Sequence, residues 1–278
     1  MIETIHFYHT NDLNSHFQHW PRIHELLKTR KKWHVEEGES SFTLDIGDHI
    51  DRSHIFTEGT LGKGNIDLLN KAKYDVVTIG NNEGITLSHK ELAELYLQAQ
   101  FEVVVGNLIE PNEDIPSWLL PTTILTTIHG TRIGVTALTA EFTLFYKQLG
   151  WQVTPAFKAL EKQIVDLKKQ TDIIICMSHL GIHLDEDMAE QFPDIDIIFG
   201  AHTHHILHEG KEVNNSLLAA AGKYGYYVGH VTIEFDLHDK KIVKKQALLY
   251  DTNELKKGPQ EEEFLNGLVT IGTDQLKK

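Results

Sequence analysis

The sequence predicts an α/β protein with a mixed sheet, and two stacked sheets flanked by helices would fit it. Three observations lead to this fold class. Strands and helices alternate through the first half of the chain, the second half is mostly β-strand, and short polar clusters follow successive strands. With 278 residues, 41% of them hydrophobic, the chain can form one large domain or two small ones.

The first half of the chain alternates between strand and helix periodicity. The predicted strands cover 4–9, 41–46, 75–79 and 101–105, and the predicted helices cover 20–33, 61–72 and 88–100. The first helix has Ile23, Leu26 and Leu27 at helical spacing, and Ser88 with Glu91 forms a capping box where the third begins. This order of elements is typical of α/β proteins.

The second half is richer in strands. A hairpin is predicted at 122–138, where His129-Gly130-Thr131 separates two β-rich runs. One helix is predicted at 155–169, and further strands are predicted at 172–177, 196–199, 216–221, 226–235 and 241–250. Residues 251–278 are polar, so we expect a folded domain at 1–250 and a linker or C-terminal tail at 251–278.

The composition argues against several classes of protein. Lys and Arg number 26 against 40 Asp and Glu, a formal net charge of −14, which disfavours binding of a nucleic-acid polymer. Cys176 is the only cysteine, so neither a disulfide nor a thiolate metal cage is expected. No apolar run approaches the ~18 residues of a membrane span, and the first residues do not resemble a signal peptide. We therefore expect a cytoplasmic protein that does not bind a membrane.

Five polar clusters each follow a predicted strand, at 9–16, 45–52, 80–84, 178–181 and 199–205. Ligands of open α/β sheets collect at the carboxyl ends of strands, so we expect these clusters to meet. The Asp, Asn and His side chains of these clusters are candidate metal ligands.

Carboxylate, amide and imidazole ligands without thiols suit divalent Mn, Zn, Fe or Mg. An Asp can supply one oxygen to each of two ions, and His202 and His204 point the same way in extended structure. Each cluster alone has an ordinary explanation, since a Gly-Asp after a strand is usually a turn and a lone His179 is usually a satisfied strand-end residue. All five in order are hard to explain as turns.

The motifs resemble those of the calcineurin-like metallophosphoesterases. The run Tyr8-His9-Thr10-Asn11-Asp12 resembles the 5′-nucleotidase and UDP-sugar hydrolase branch of that family, and the resemblance covers about residues 4–250. The other matching motifs are Asp12-x-Asn14, Gly47-Asp48, Gly80-Asn81-Asn82-Glu83, His179 and His202-Thr203-His204.

The resemblance implies a four-layer α/β/β/α sandwich with two mixed sheets and two divalent metal ions, Mn or Zn before Mg or Fe. By position, the first ion would be held by Asp12, Asn14, Asp48 and His204, and the second by Asp48, Asn81, His179 and His202. A metal-bound hydroxide would then attack the phosphorus of a small phosphorylated substrate, a nucleotide in this branch.

Three positions depart from the family pattern. Asn14 and Asn82 stand where the family has histidine, and Ile85 stands where the branch has the aspartate that orients the second one. Asn14 can ligate through its amide oxygen, which shifts metal preference toward Mn or Mg. Asn82 and Asp48 are the candidate catalytic residues. Asn82 is also a candidate substrate-binding residue, because it can donate a hydrogen bond to a phosphoryl oxygen, but it cannot deliver a proton.

Arg52, after the Asp48 motif, could bind substrate phosphate, and a surface salt bridge with Asp51 or Glu58 is the alternative. The function expected is two-metal hydrolysis of phosphate esters or phosphoanhydrides. The alternative is a metal- and phosphate-binding protein with little catalysis, since Asn14, Asn82 and Ile85 weaken the site. The branch usually carries a second, C-terminal domain that grips the nucleoside through stacked aromatic residues. Such a domain is not expected within 1–278, and it or a partner could belong to the full-length protein.

Overall fold

The computed structural model describes residues 1–111 and 116–277. The strands are β1 (Ile2–Thr10), β2 (Ser40–Asp45), β3 (Val76–Val77), β4 (Glu102–Val104), β5 (Leu108–Ile109), β6 (Leu119–Leu120), β7 (Thr122–Thr126), β8 (Arg132–Leu138), β9 (Gln152–Val153), β10 (Ile173–Ser178), β11 (Ile197–Gly200), β12 (Lys211–Val213), β13 (Ser216–Ala219), β14 (Tyr227–Asp236) and β15 (Lys241–Asp251). The helices are α1 (Trp20–Glu37), α2 (Ile55–Thr60), α3 (Lys63–Ala72), α4 (Asn81–Thr86), α5 (His89–Leu95), α6 (Thr143–Gln148), α7 (Ala156–Leu167), α8 (Ile182–Gln191) and α9 (Glu261–Leu276).

Two large sheets, both mixed, carry most of the strands. The first has the order β15-β14-β1-β2-β3-β4-β6. In it β1, β2, β3, β4 and β6 pair in parallel, whereas β14 pairs antiparallel with both β1 and β15. The second has the order β12-β13-β11-β10-β8-β7, with antiparallel strands at both edges. The predicted hairpin is confirmed as β7 and β8.

Three apolar clusters separate four layers. Between the sheets, Phe7 of β1 lies against Phe199 of β11, with ring centroids 5.8 Å apart. On the outer face of the first sheet, Tyr8 packs with Trp20 of α1, as expected when neighbouring strand residues face opposite ways. On the outer face of the second sheet, Cys176 packs with α7 and α8. The expected α/β/β/α sandwich is confirmed.

The C-terminal segment differs from the expected linker or tail. Residues 261–276 form α9, which packs on α2 so closely that a Cβ atom on Gly59 would overlap the carbonyl of Gly272. The buried Arg22 of α1 forms a bidentate ion pair with Glu261, with both N–O distances 3.0 Å. The expectation of a tail rested on the polar residues at 256–263, and the apolar face of α9 that follows them was not recognised. The domain boundary at 250 remains a prediction.

Several short helices were not predicted, namely α2, α4, α6 and α8, and the expected helix at 88–100 ends at Leu95. Three of the four have six residues, too few for periodicity to reveal. Among the described residues, no helix is both long and apolar enough to cross a membrane.

Candidate metal centre

The five polar clusters converge at one edge of the two sheets. The loops after β1 and β2 are joined by backbone hydrogen bonds, from Asp12 N to Gly47 O at 3.0 Å and from Asn14 N to Asp48 O at 2.8 Å. The loops after β10 and β11 bring His179 and His202 from the second sheet to face them, with the two imidazole centroids 5.3 Å apart. Parallel strands place their carboxyl ends together, and the stacking of the sheets brings the two edges together.

The centre of the site is a buried cluster of Asp12, Asp48 and His179, each offering a ligand atom within 4.8 Å of the others. His179 Nε2 lies 3.4 Å from an Asp48 oxygen and 3.8 Å from an Asp12 oxygen. His204, which is more exposed, places Nε2 3.6 Å from Asp12. Two carboxylates and two imidazoles therefore point at one another without being close enough to form good hydrogen bonds.

The Nε2 atom of His179 is aimed into this space. Its Nδ1–H donates to the carbonyl of Ile46 at 2.7 Å, which leaves Nε2 as the buried free nitrogen. Neither His179 Nε2 nor the side-chain oxygen of Asn81 has a hydrogen-bond partner among the described residues. Burial lowers the pKa of His179, but the charges of Asp48 and Asp12 raise it overall to about 10. The site therefore attracts positive charge, and its unpaired donor atoms fit a divalent cation.

The backbone is strained at the same place. Five candidate ligands have φ in the left-handed region, which costs non-glycine residues free energy and recurs at functional sites. These are Asp12 (49°), Asn14 (48°), Asp48 (52°), His202 (73°) and His204 (57°).

Glu83 fixes the loop that carries Asp48. It belongs to the Gly80-Asn81-Asn82-Glu83 motif, but no role was predicted for it. Its buried carboxylate accepts three backbone N–H groups, from Asp48 at 3.0 Å, Ile50 at 2.9 Å and Gly80 at 2.8 Å. Burial, and then the charge of Asp48, raises the pKa of Glu83 to about 7. The carboxylate fastens the β2 loop to the start of α4. Its position three residues after Gly80, at the start of a helix, is that of a capping-box glutamate and could have predicted the bond to Gly80.

Asn11 supports the Asp12 carboxylate in a similar way. Its side-chain N–H donates to Asp12 at 2.8 Å and to Gly222 O at 2.7 Å, and its oxygen accepts from Ala221 N at 3.0 Å. The backbone N–H of His202 also donates to Asp12, at 3.1 Å. These contacts orient Asp12 within the cluster.

Asn14 and Asn82, the two amides in place of the family's histidines, are directly bonded. Asn82 donates one side-chain N–H to the oxygen of Asn14 at 2.8 Å and the other to Ile50 O at 2.9 Å. Its oxygen accepts from Asn81 at 3.1 Å, and its backbone N–H donates to Asp48 at 2.7 Å. Both amide protons are occupied, so Asn82 must give up a partner before it can contact a phosphoryl oxygen.

Arg52 forms a salt bridge with Glu58, which was the alternative to phosphate binding. Its guanidinium binds Glu58 through two hydrogen bonds of 2.6 and 2.9 Å and donates to Thr86 O at 2.7 Å. Substrate binding by Arg52 remains a prediction.

A second cluster of three imidazoles lies between the first sheet and α1, away from these loops. Its members are His6, His34 and His230. Glu39 accepts from His6 at 3.0 Å and from His34 at 2.9 Å, and His6 and His230 are joined nitrogen to nitrogen at 3.0 Å. Both ring nitrogens of His6 and His34 have partners, and among the described residues only Nδ1 of His230 in this cluster has none.

Comparison with known proteins identifies the family. The sequence profile described as calcineurin-like phosphoesterase matches residues 5–205. The chain belongs to the calcineurin-like phosphoesterase family. The resemblance drawn from the motifs is thereby confirmed, and the oxygen and nitrogen ligands of the site fit the divalent metals that such phosphoesterases use.

Two curated relatives come from Bacillus subtilis (strain 168). This phosphoesterase is 47% identical over 247 residues to a protein named uncharacterized metallophosphoesterase YunD, with 89% of this chain and 54% of the relative covered. It is 25% identical over 311 residues to trifunctional nucleotide phosphoesterase protein YfkN, with 96% and 21% covered. The chain thus spans about half the length of the first relative and a fifth of the second.

Two solved structures share the fold. A 5′-nucleotidase precursor from Thermus thermophilus superposes with a TM-score of 0.81 at 20% identity, covering 98% of this chain and 59% of that one. The calcineurin-like phosphoesterase YfkN from Bacillus subtilis superposes with a TM-score of 0.81 at 16% identity, covering all of both chains.

Proposed function

We propose that this calcineurin-like phosphoesterase hydrolyses phosphate esters or phosphoanhydrides of nucleotides with two divalent metal ions. The observation that carries the proposal is the buried cluster of Asp12, Asp48 and His179, in which the free nitrogen of His179 has no partner among the described residues. A buried polar atom without a hydrogen-bond partner lowers the stability of the fold unless a ligand binds it. Other buried histidines, such as His9 and His49, also have an unpaired nitrogen, but that of His179 faces the carboxylates of Asp12 and Asp48.

The proposed ligands follow the family motifs and fit the geometry. The first ion would be held by Asp12, Asn14, Asp48 and His204, and the second by Asp48, Asn81, His179 and His202. Asn14 remains able to ligate, since its oxygen has a second lone pair beside the one that accepts from Asn82. Manganese is favoured at the first site and manganese or zinc at the second.

The two ions, when bound, lower the pKa of a water molecule and neutralise phosphoryl oxygens. The residues of the chain hold the ligands in place. Asp48 lies between the two ligand sets, and Glu83 fixes its backbone. Asn82 orients Asn14 and Asn81 through its side chain, and it supplies no proton to the leaving group. This arrangement favours substrates whose leaving groups need no proton.

The nucleotide substrate class is proposed from the relatives. Names of similar proteins include trifunctional nucleotide phosphoesterase and 5′-nucleotidase, at 25% and 23% identity. The alternative is a metal- and phosphate-binding protein with little turnover, favoured by the amides at Asn14 and Asn82. The intact buried cluster favours the enzyme.

One assay separates the two functions. Purified protein would be incubated with 4-nitrophenyl phosphate, a nucleoside monophosphate and a nucleoside diphosphate, each with Mn, Zn, Co or Mg. We expect turnover that a chelator abolishes and that Asp48→Asn lowers by more than ~100-fold, beyond the loss typical of residues that only support ligands. Asp187→Asn, at an exposed position, is the control. Bound metal without turnover in any mixture would support the alternative.

A further inference from the structure

We infer that Phe145, reached from the metal centre through Phe142, forms a stacking subsite for a planar aromatic part of the substrate, such as a nucleobase or an aryl group. This inference rests on the proposed function, which places the phosphate at the strand-end cluster. It adds a residue that chooses among phosphorylated compounds.

The two phenylalanines lie on the loop and helix that follow β8. This loop leaves the carboxyl end of β8, the neighbour of β10, so it reaches the same edge of the second sheet as His179. It contributes no proposed metal ligand. Instead, Phe142 packs edge-on against His202 with ring centroids 6.1 Å apart, and Phe145 packs edge-on against Phe142 at 6.2 Å. An aromatic path therefore runs from a proposed ligand to the surface.

The helix that carries Phe145 is firmly anchored. Tyr146 is fully buried, and its hydroxyl lies 3.2 Å from Thr139 Oγ1. A Cβ atom on Gly84 would overlap that hydroxyl, so α6 is pressed against α4, the helix of Asn81 and Asn82. The direction of the exposed side chains of α6 is thus set by packing beneath them.

Two of the exposed side chains of α6 are large and apolar, beside the polar Thr143, Lys147 and Gln148. Phe145 is 53% exposed and Leu144 is 76% exposed. Leaving this apolar surface in water is unfavourable, and packing of α6 does not require it. A ligand that covers the ring of Phe145 accounts for its exposure beside the site.

Tyr224, whose ring centroid lies 6.5 Å from that of His204, has no free face. Tyr224 stacks on His16 with centroids 3.7 Å apart, and Lys223 Nζ lies over the same ring at 4.5 Å. An imidazole and an ammonium this close cannot share one face, so both faces of Tyr224 are covered. Tyr226, 45% exposed, lies beyond Tyr224 and provides a matched comparison for Phe145.

The chemistry of a phenylalanine face selects the ligand. Every nucleobase and aryl group can stack on such a ring without hydrogen-bond readout. Phe145 lies two ring-to-ring steps from His202, within reach of a base whose 5′-phosphate occupies the metal centre. A compact substrate without an aromatic group, such as acetyl phosphate, does not reach it.

The test compares Phe145→Ala with Phe145→Tyr and Tyr226→Ala in the manganese-loaded protein. For a nucleoside monophosphate and 4-nitrophenyl phosphate, Phe145→Ala should raise KM about ten-fold, in line with base stacking on aromatic side chains. KM for acetyl phosphate should not change, Phe145→Tyr should retain wild-type KM, and Tyr226→Ala should behave as wild type. An equal effect on all substrates, no effect, or a larger effect of Tyr226→Ala would overturn the inference.

Calorimetry keeps the test independent of turnover. Adenosine monophosphate and inorganic phosphate would each be titrated into the manganese-loaded protein. Weaker binding of the nucleotide alone in Phe145→Ala supports the subsite even if catalysis is absent. Equal binding of the nucleotide to wild type and variant contradicts it. Circular dichroism melting confirms that each variant is folded.

Discussion

The side-chain N–H of Asn82 donates a hydrogen bond to the side-chain oxygen of Asn14 across 2.8 Å. The two positions at which this chain replaces a family histidine with an amide are thus in direct contact. Asn82 also contacts Asn81, a proposed ligand of the second ion. The two departures form one hydrogen-bonded unit that connects both proposed metal positions.

This contact predicts coupling between the two amides. Residues in contact show interaction energies of about 0.5–3 kcal/mol in double-mutant cycles. We expect Asn14→Ala and Asn82→Ala each to weaken manganese binding, and the double variant to weaken it by less than the sum. Calorimetric titration of the four proteins measures the coupling. Additive effects would show that the two residues act separately.

The loss of a proton donor at position 82 predicts a steep dependence on the leaving group. General acid catalysis contributes about 10²–10⁴ in rate, and the benefit is greatest for poor leaving groups. Rates measured over a series of aryl and alkyl phosphates should therefore fall sharply as the pKa of the leaving group rises. Asn82→His should make the slope shallower. A flat series for the wild-type protein would mean that another residue donates the proton.

Glu83 predicts a loss of both stability and metal affinity. Glu83→Gln replaces one carboxylate oxygen by an amide that cannot accept the N–H groups of Asp48 and Gly80. Leaving buried groups unpaired costs about 1–3 kcal/mol, and residues that support ligands change affinity about 10–100-fold. Urea unfolding and metal titration measure the two effects. Glu190→Gln, at an exposed position, is the control, and equal behaviour of both variants would exclude the role.

The second imidazole cluster predicts acid sensitivity. Burial lowers the pKa of His6 to about 4 and of His230 to about 3, whereas an unfolded histidine titrates near 6.5. Below pH 6.5 the unfolded chain binds protons that the folded chain does not, so stability is complete above that pH and falls as the pH drops. The loss is about 2 kcal/mol per histidine at pH 5.

Urea midpoints between pH 7.5 and 5 measure this effect. His230→Phe keeps a ring against Tyr8 but removes the titrating group, so its midpoint should fall less steeply than that of the wild type. His238→Gln, at an exposed site, should follow the wild type. Identical slopes for His230→Phe and wild type would remove this cluster as the cause.

The helix α9 predicts that the C-terminal segment stabilises the domain. Glu261→Ala leaves the buried Arg22 without its bidentate partner, and hydrogen bonds to charged groups contribute about 1.5–3 kcal/mol. Urea unfolding should show a loss of that size, while Glu262→Ala, one residue further and exposed, should show little change. No loss for Glu261→Ala would agree with a segment that acts only as a linker.

The sequence by itself determined the order of the longer strands and of α1, α3, α5 and α7, and the edge at which the site lies. Both follow from local information, because strand alternation and helical spacing are properties of neighbouring residues. Parallel strands must then present their carboxyl ends together, so the clusters that contain Asp12, Asp48, His179 and His202 were expected to meet, and the family motifs pointed to these four residues.

The tertiary structure decided which hydrogen bonds fix the site residues and which side chains near the site are exposed. Three of these features join segments far apart in the chain, namely the three hydrogen bonds of Glu83, the bond between Asn14 and Asn82, and the docking of α9. The exposure of Phe145 depends on how α6 packs. Local propensity carries no information about such contacts, because their energy comes from burial and from partners that only the folded chain brings together.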